Sequence, residues 1–274
     1  MAGRNNWTRE EVLLAFNLYC KIPFGKINQN HKKVIALSEL IGRTPGAVSL
    51  KLGNIASFDP VHQQRGVKGL RNSSKLDKKI WDEFSENCEG LSFESEKLLA
   101  EYKKETIEES AKIETDDLPI EGKERERSVK VRVNQSFFRQ SILSAFGFKC
   151  CVTGISVPEL LIASHIKPWS KDKKNRMNPK NGLCLNALHD KAFDRGFITF
   201  SNDFKMIVSD HIKKTMESEI VDKYFYSYQG KQIKLPERFL PEVEFLEYHK
   251  VNIFESFNMD KKTNGYDPSN KSIY

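Results

Sequence analysis

Between Cys150 and Thr199 the chain carries a Ser164-His165-Ile166-Lys167-Pro168-Trp169 segment, then Asn181, then a His189-Asp190 pair. Those residue types can do one kind of chemistry well together. A neutral imidazole with a pKa near ~6.5 takes a proton from water at cellular pH. A carboxylate is a good oxygen donor to Mg²⁺, whereas imidazole suits Zn²⁺, Ni²⁺ or Cu²⁺ better. Cleaving a phosphodiester with water needs a base beside the nucleophile and positive charge beside the leaving and non-bridging oxygens. One base and one metal would suffice, and the spacing suits a one-metal nuclease.

The elements that must position these groups are short. Lys149-Cys150-Cys151-Val152-Thr153-Gly154 turns the chain at Gly154, and Leu160 to Ile166 has the aliphatic, β-branched character of a strand ending on His165. The two together are expected to form a small hairpin. After a polar loop from Pro168 to Asn181, residues 185–196 have helical spacing, with Leu188, Ala192 and Phe193 inward and Gly196 as the stop. A hairpin followed by this helix brings His165 near the first helical turn.

This order of residues resembles the HNH endonucleases, in the branch where a histidine precedes Ile-x-Pro-Trp and is followed by Asn-Gly-Leu and a helix ending Phe-Asp-Arg-Gly. The resemblance is specific over residues 136 to 200. It implies a ββα-metal fold with a catalytic divalent ion, Mg²⁺ first, with Mn²⁺ or Ni²⁺ as alternatives. It implies His165 as general base and Asn181 as the residue tying the loop to the backbone around that base, with His189 also in the catalytic set. The family's metal-binding histidine falls in register on Asp190, one residue after His189. Asp190 is therefore the first choice of ligand and His189 the second. Ser164 stands where many relatives carry Asp or His, so the metal would hold few protein ligands. Structural alternatives stay open: Asn181-Gly182 is also a turn signal, and Asp190 also suits an early helical position.

The cysteines do not assemble a structural zinc site. Cys150 and Cys151 are adjacent, Gly154 stands where a partner would be, and Cys184 is alone in its segment. No structural zinc is expected, and the five cysteines read as reduced thiols of a cytoplasmic protein. No signal peptide and no run of ~18 apolar residues is seen, so no membrane association is expected.

At 274 residues and 39% hydrophobic content the chain is long for one core. Residues 1–85 hold 14 Lys and Arg against 7 Asp and Glu, residues 86–120 hold 4 against 11, and the remainder holds 26 against 19. Two basic parts flanking an acidic connector suit two surfaces that meet phosphate, and the resemblance to HNH endonucleases implies double-stranded DNA as the partner. The expected fold class is α+β. It comprises a helical, helix-turn-helix-like module at 1–85, an acidic linker or solvated helix at 86–128, and a nuclease domain at 129–274 with its core motif at 148–200.

In the first module, Asn6 or Thr8 can cap a helix with Val12, Leu13, Phe16 and Tyr19 on one face. A second helix, a turn at Gly42, a Thr44 cap with Pro45 at the first position, and then Ala47, Val48, Leu50 and Leu52 give a helix-turn-helix outline. On that reading Arg43 to Lys51, with Ser49 among them, and Asn54 would face DNA. The region also resembles the N-terminal part of bacterial HNH proteins classed as restriction endonucleases. In the nuclease part, Lys167, Lys171, Lys173, Lys174 and Arg176 crowd the loop before Asn181, and Arg195 ends the helix, as phosphate contacts. Trp169 is assigned to the core. Further on, residues 197–210 and 223–236 each read as a strand pair, and 245–254 as a helix.

The functional expectation is a metal-dependent DNA endonuclease of restriction or defence, acting as a homodimer if its site is palindromic. The alternatives are a DNA-binding regulator with an inactive scaffold, or a nuclease gated by modified DNA or a signal.

Overall fold

The computed structural model describes residues 6–66, 74–215 and 219–255. In chain order the helices before the strands are α1 (Arg9–Lys21), α2 (Lys32–Leu40), α3 (Pro45–Ala56), α4 (Pro60–Gln64), α5 (Lys75–Glu86), α6 (Cys88–Lys103), α7 (Ile107–Ala111) and α8 (Gly122–Ala145). Then come β1 (Leu161–His165), β2 (Gly182–Asn186), α9 (Ala187–Asp194), β3 (Ile198–Phe200), β4 (Met206–Val208), α10 (Asp210–Thr215), α11 (Glu219–Tyr224) and α12 (Val243–His249). No described helix is long and apolar enough to cross a membrane.

Thr8 caps α1 through a reciprocal pair with Glu11, which satisfies two of the amides that a helix start leaves open. Val12, Leu13, Phe16 and Tyr19 are buried, and so are Leu14, Ala15, Leu18 and Cys20 on the other sides. A helix apolar all round belongs at the centre, and α1 touches α2, α3, α5, α6 and α8. Its polar residues find partners on α6: Asn17 donates to Ser95 and Glu96, and Lys21 pairs with Glu96. In the acidic connector α6 is thus packed against α1, where a linker or solvated helix was expected, while residues 112–128 are half-buried or exposed. The connector's last seven residues, from Gly122, form the start of the 24-residue α8.

Around Gly42 (φ 66°), α2 and α3 meet as the spacing suggests, with Thr44 bonding the Ala47 amide and Pro45 opening the helix. Val48 and Leu52 are fully buried, but Leu50 is exposed. Two residues expected to face DNA are instead turned inward. Arg43 holds Glu11 and the Asn6 carbonyl and lies over the Trp7 ring. Lys51 is 6% exposed and sits against Asp77, at 2.8 Å, and the Trp7 ring. Asn54 is buried as well.

One hydrophobic core runs from α1 through α8 to α12, so packing crosses both expected boundaries at 85/86 and 128/129. Arg238 closes the junction. Fully buried, its guanidinium donates to the carbonyls of Tyr19, Cys20 and Ile22 and to the Ser144 hydroxyl. Those carbonyls lie at the end of α1, where a helix leaves acceptors unpaired.

β1 and β2 are antiparallel, with Leu161 opposite Asn186 and His165 opposite Gly182. The hairpin partner of Leu161–His165 is therefore the strand after the long loop. The Cys150–Gly154 turn, expected to pair with it, instead lies beside β2 through a bond from the Cys151 amide to the Cys184 carbonyl and side-chain bonds from Asn186 Nδ2 to Thr153 and Cys150. β3 and β4 pair across Asn202-Asp203 as expected. The second expected strand pair is not formed: α11 occupies 219–224, and only a single bridge, Lys205 to Gln232, remains.

Candidate active site

Adjacent strand residues point to opposite faces, and β1 uses this to send His165 towards α8 and Ser164 towards α9. The His165 imidazole lies flat on the Phe138 ring of α8, centroids 4.1 Å apart and planes 7° apart. Trp169 meets it edge-on at 5.4 Å. His165 Nε2 is 2.9 Å from the Arg176 carbonyl. A carbonyl only accepts, so Nε2 carries the proton and Nδ1 keeps its lone pair. Nδ1 makes no hydrogen bond to any described residue. Burial pushes the His165 pKa down, opposed by the bond to Arg176, so the neutral form dominates at neutral pH.

Asn181 is 1% exposed. Its Oδ1 accepts from the Lys167 amide at 2.8 Å, and its Nδ2 donates to the Lys167 and Asn175 carbonyls. Its own carbonyl accepts from Ile166. Both ends of the loop are thereby fixed on either side of the base. Within the loop, Lys167 pairs with Asp172 at 3.0 Å, and Arg176 donates to the Trp169 carbonyl and lies over its ring. Those two cations are engaged inside the loop, while Lys171, Lys173, Lys174 and Arg195 are exposed.

Asn186 caps α9 by accepting from the His189 amide at 3.0 Å. That cap sets the register: Leu188, expected inward, faces solvent, and His189 rotates into the interior, fully buried. His189 Nδ1 lies 3.1 Å from Asn186 Oδ1 and Nε2 lies 2.9 Å from the Tyr224 carbonyl. Expected beside Asp190 as a catalytic and metal-binding group, His189 instead has both nitrogens turned to internal acceptors. Burial pushes its pKa down.

Asp190 is partly buried, and burial pushes its pKa up, with the nearby Ser164 hydroxyl offsetting part of the effect. That hydroxyl is 3% exposed and makes no hydrogen bond of full geometry. Asp194 keeps an open edge to solvent, yet crowding and then the Asp190 charge push its pKa up too. Residues four apart share a helix face, so α9 presents two carboxylates, neither ion-paired among the described residues, beside an orphan hydroxyl. A hard divalent cation fits such an oxygen-only set. Among the described residues no three His, Cys, Asp or Glu side chains converge, so water and phosphate oxygens would complete its shell. Cys150, Cys151 and Cys184 are buried, and burial raises the Cys184 thiol to about 12.

Sequence reasoning missed Asp194, although its spacing from Asp190 was readable. It also missed Phe138, which no motif signals.

Residues 150–201 match the family model described as HNH endonuclease. The matched segment contains β1, the loop, β2, α9 and β3. No curated protein matches the chain.

Proposed function

We propose that this protein is a metal-dependent DNA endonuclease of restriction or defence, acting in the cytoplasm, with His165 as its general base. The observation that carries the reading is the state of His165: Nε2 held by the Arg176 carbonyl, Nδ1 unpaired, and the oxygen cluster of Ser164, Asp190 and Asp194 one strand position away. His165 Nδ1 takes a proton from water, and the resulting hydroxide attacks phosphorus as the bond to the 3′ oxygen breaks. The products are a 3′-hydroxyl and a 5′-phosphate. A divalent ion held by Asp190, Asp194 and the Ser164 hydroxyl would supply positive charge near the leaving and non-bridging oxygens. Asn181 keeps the loop in register with the base. Lys171, Lys173, Lys174 and Arg195 meet the phosphate backbone, sequence-independently. Arg43 and Lys51 have no part in this contact, being engaged internally.

The test is cleavage of methylated and unmethylated plasmid with Mg²⁺, Mn²⁺ or Ni²⁺ and with EDTA, followed by analysis of the ends. Metal-dependent cutting with 5′-phosphate ends supports the reading. The serine at position 164 favours a second one, a DNA-binding regulator on an inactive scaffold. Tight duplex binding without cutting under any metal would select it, and cutting of modified DNA alone would select a gated nuclease. A palindromic cleavage site would call for a homodimer.

A further inference from the structure

Phe138 lies in α8, outside the segment that matches the family model. It is 2% exposed and parallel to the His165 ring at 4.1 Å. The two near-parallel rings are in contact, so the phenyl face excludes water from one side of the imidazole. The arrangement depends on a second residue. Gly182 is directly opposite His165 in the hairpin, and a Cβ there would come within 2.9 Å of Phe138 Cζ. The α8 ring can approach the hairpin this closely because position 182 has no side chain.

We propose that Phe138 is a positioning residue for the base, fixing the plane of the His165 ring and covering one of its faces, so that Nδ1 alone is presented to the reacting water. This rests on the assignment of His165 as base. A histidine bonded only through Nε2 can still rock about that bond; the stack removes the freedom. The charges on the surrounding elements are directed elsewhere. Arg139 of α8 donates to the Leu161 and Pro158 carbonyls. Lys167 holds Asp172, and Arg176 lies on Trp169. Asp190 and Asp194 stand beyond β1, on the Ser164 side.

The experiment uses the full chain, with the NMR shifts of the His165 ring protons read beside the kinetics of DNA cleavage. In the wild type, the His165 ring protons should be shifted upfield by the Phe138 ring current; ordinary random-coil shifts would overturn the proposal without any variant. Phe138→Leu keeps an apolar side chain but loses the plane. It should move those protons back towards random-coil positions and lower kcat about tenfold, part of the ~10²–10⁴ that a placed base contributes, with KM unchanged. An unchanged kcat in folded Phe138→Leu, its His165 ring protons having lost the upfield shift, would refute the platform. If His165→Ala still cleaves DNA, the base assignment fails independently, since the ring-proton shifts report on the stack alone.

Discussion

Replacing Gly182 with alanine should destabilise the protein, although on strand propensity alone it should help, glycine costing about 0.5–1 kcal/mol relative to alanine within a strand. The backbone there has φ −140°, which any residue adopts, so strain plays no part. The obstacle is space. An added Cβ would lie 2.4 Å from Ile142 Cδ1, 2.8 Å from Ile142 Cγ1 and 2.9 Å from Phe138 Cζ, where carbon atoms prefer about 3.5–4.0 Å. Ile142 is 1% exposed and Phe138 2%, so neither can swing into solvent, and α8 must shift or a rotamer must strain. Overpacking of this kind costs about 1–3 kcal/mol, which exceeds the propensity gain. Urea denaturation of both proteins measures the difference. Ile142→Val deletes the closest atom at its own cost of about 0.5–1.5 kcal/mol. In the double variant the losses should combine less than additively, with a coupling of at least ~0.5 kcal/mol. Because the displaced helix carries Phe138, cleavage should fall as well. A Gly182→Ala protein as stable as the wild type, or additive losses in the double variant, would refute the packing argument.

Further outcomes follow from the ion pairs, the histidines and the acids. Lys51→Ala leaves Asp77 buried without its partner, which should cost about 3–5 kcal/mol in denaturation while leaving duplex affinity of the folded fraction unchanged. Burial holds His249 down at about 4, against ~6.5 in the unfolded chain. The unfolded state thus binds the proton more readily, so stability is complete above ~6.5 and declines as pH falls towards 4, by up to ~3 kcal/mol. His249→Gln should flatten that slope in melts between pH 7 and pH 4.5. Asp190→Asn and Asp194→Asn should each weaken Mn²⁺ binding, read by calorimetry or EPR, by about tenfold or more, a loss of ~1.4 kcal/mol. Equal affinity in both variants would place the ion elsewhere.

The parts of the molecule legible in sequence were those fixed by local chemistry. The α1 cap at Thr8, the Gly42 turn with Thr44 and Pro45, the β3–β4 turn and the C-terminal helix all rest on short-range signals, and each is present. The hairpin partner of β1 was not legible, because 161–165 and 182–186 are joined by a long loop and two short aliphatic runs do not state which third run they pair with. Ala192 and Phe193 face inward on α9 as their spacing suggests, whereas Leu188 yields its place to His189 because Asn186 sets the phase of the first turn. Arg43 and Lys51 read as surface cations because sequence gives no hint of Trp7, Glu11 and Asp77 gathering around them. The packing of α6 was not legible for a similar reason: Glu96 among many surface acids is the one that meets Lys21 in the interior. Phe138 lies 27 residues before His165, and nothing in its own neighbourhood marks it.

The most direct test of the account is duplex cleavage and duplex binding by the wild type and His165→Ala, side by side, with a divalent metal present. The account predicts that cleavage disappears in the variant while DNA affinity stays within about twofold, a change under ~0.5 kcal/mol. Metal-dependent cleavage that survives in His165→Ala would contradict it.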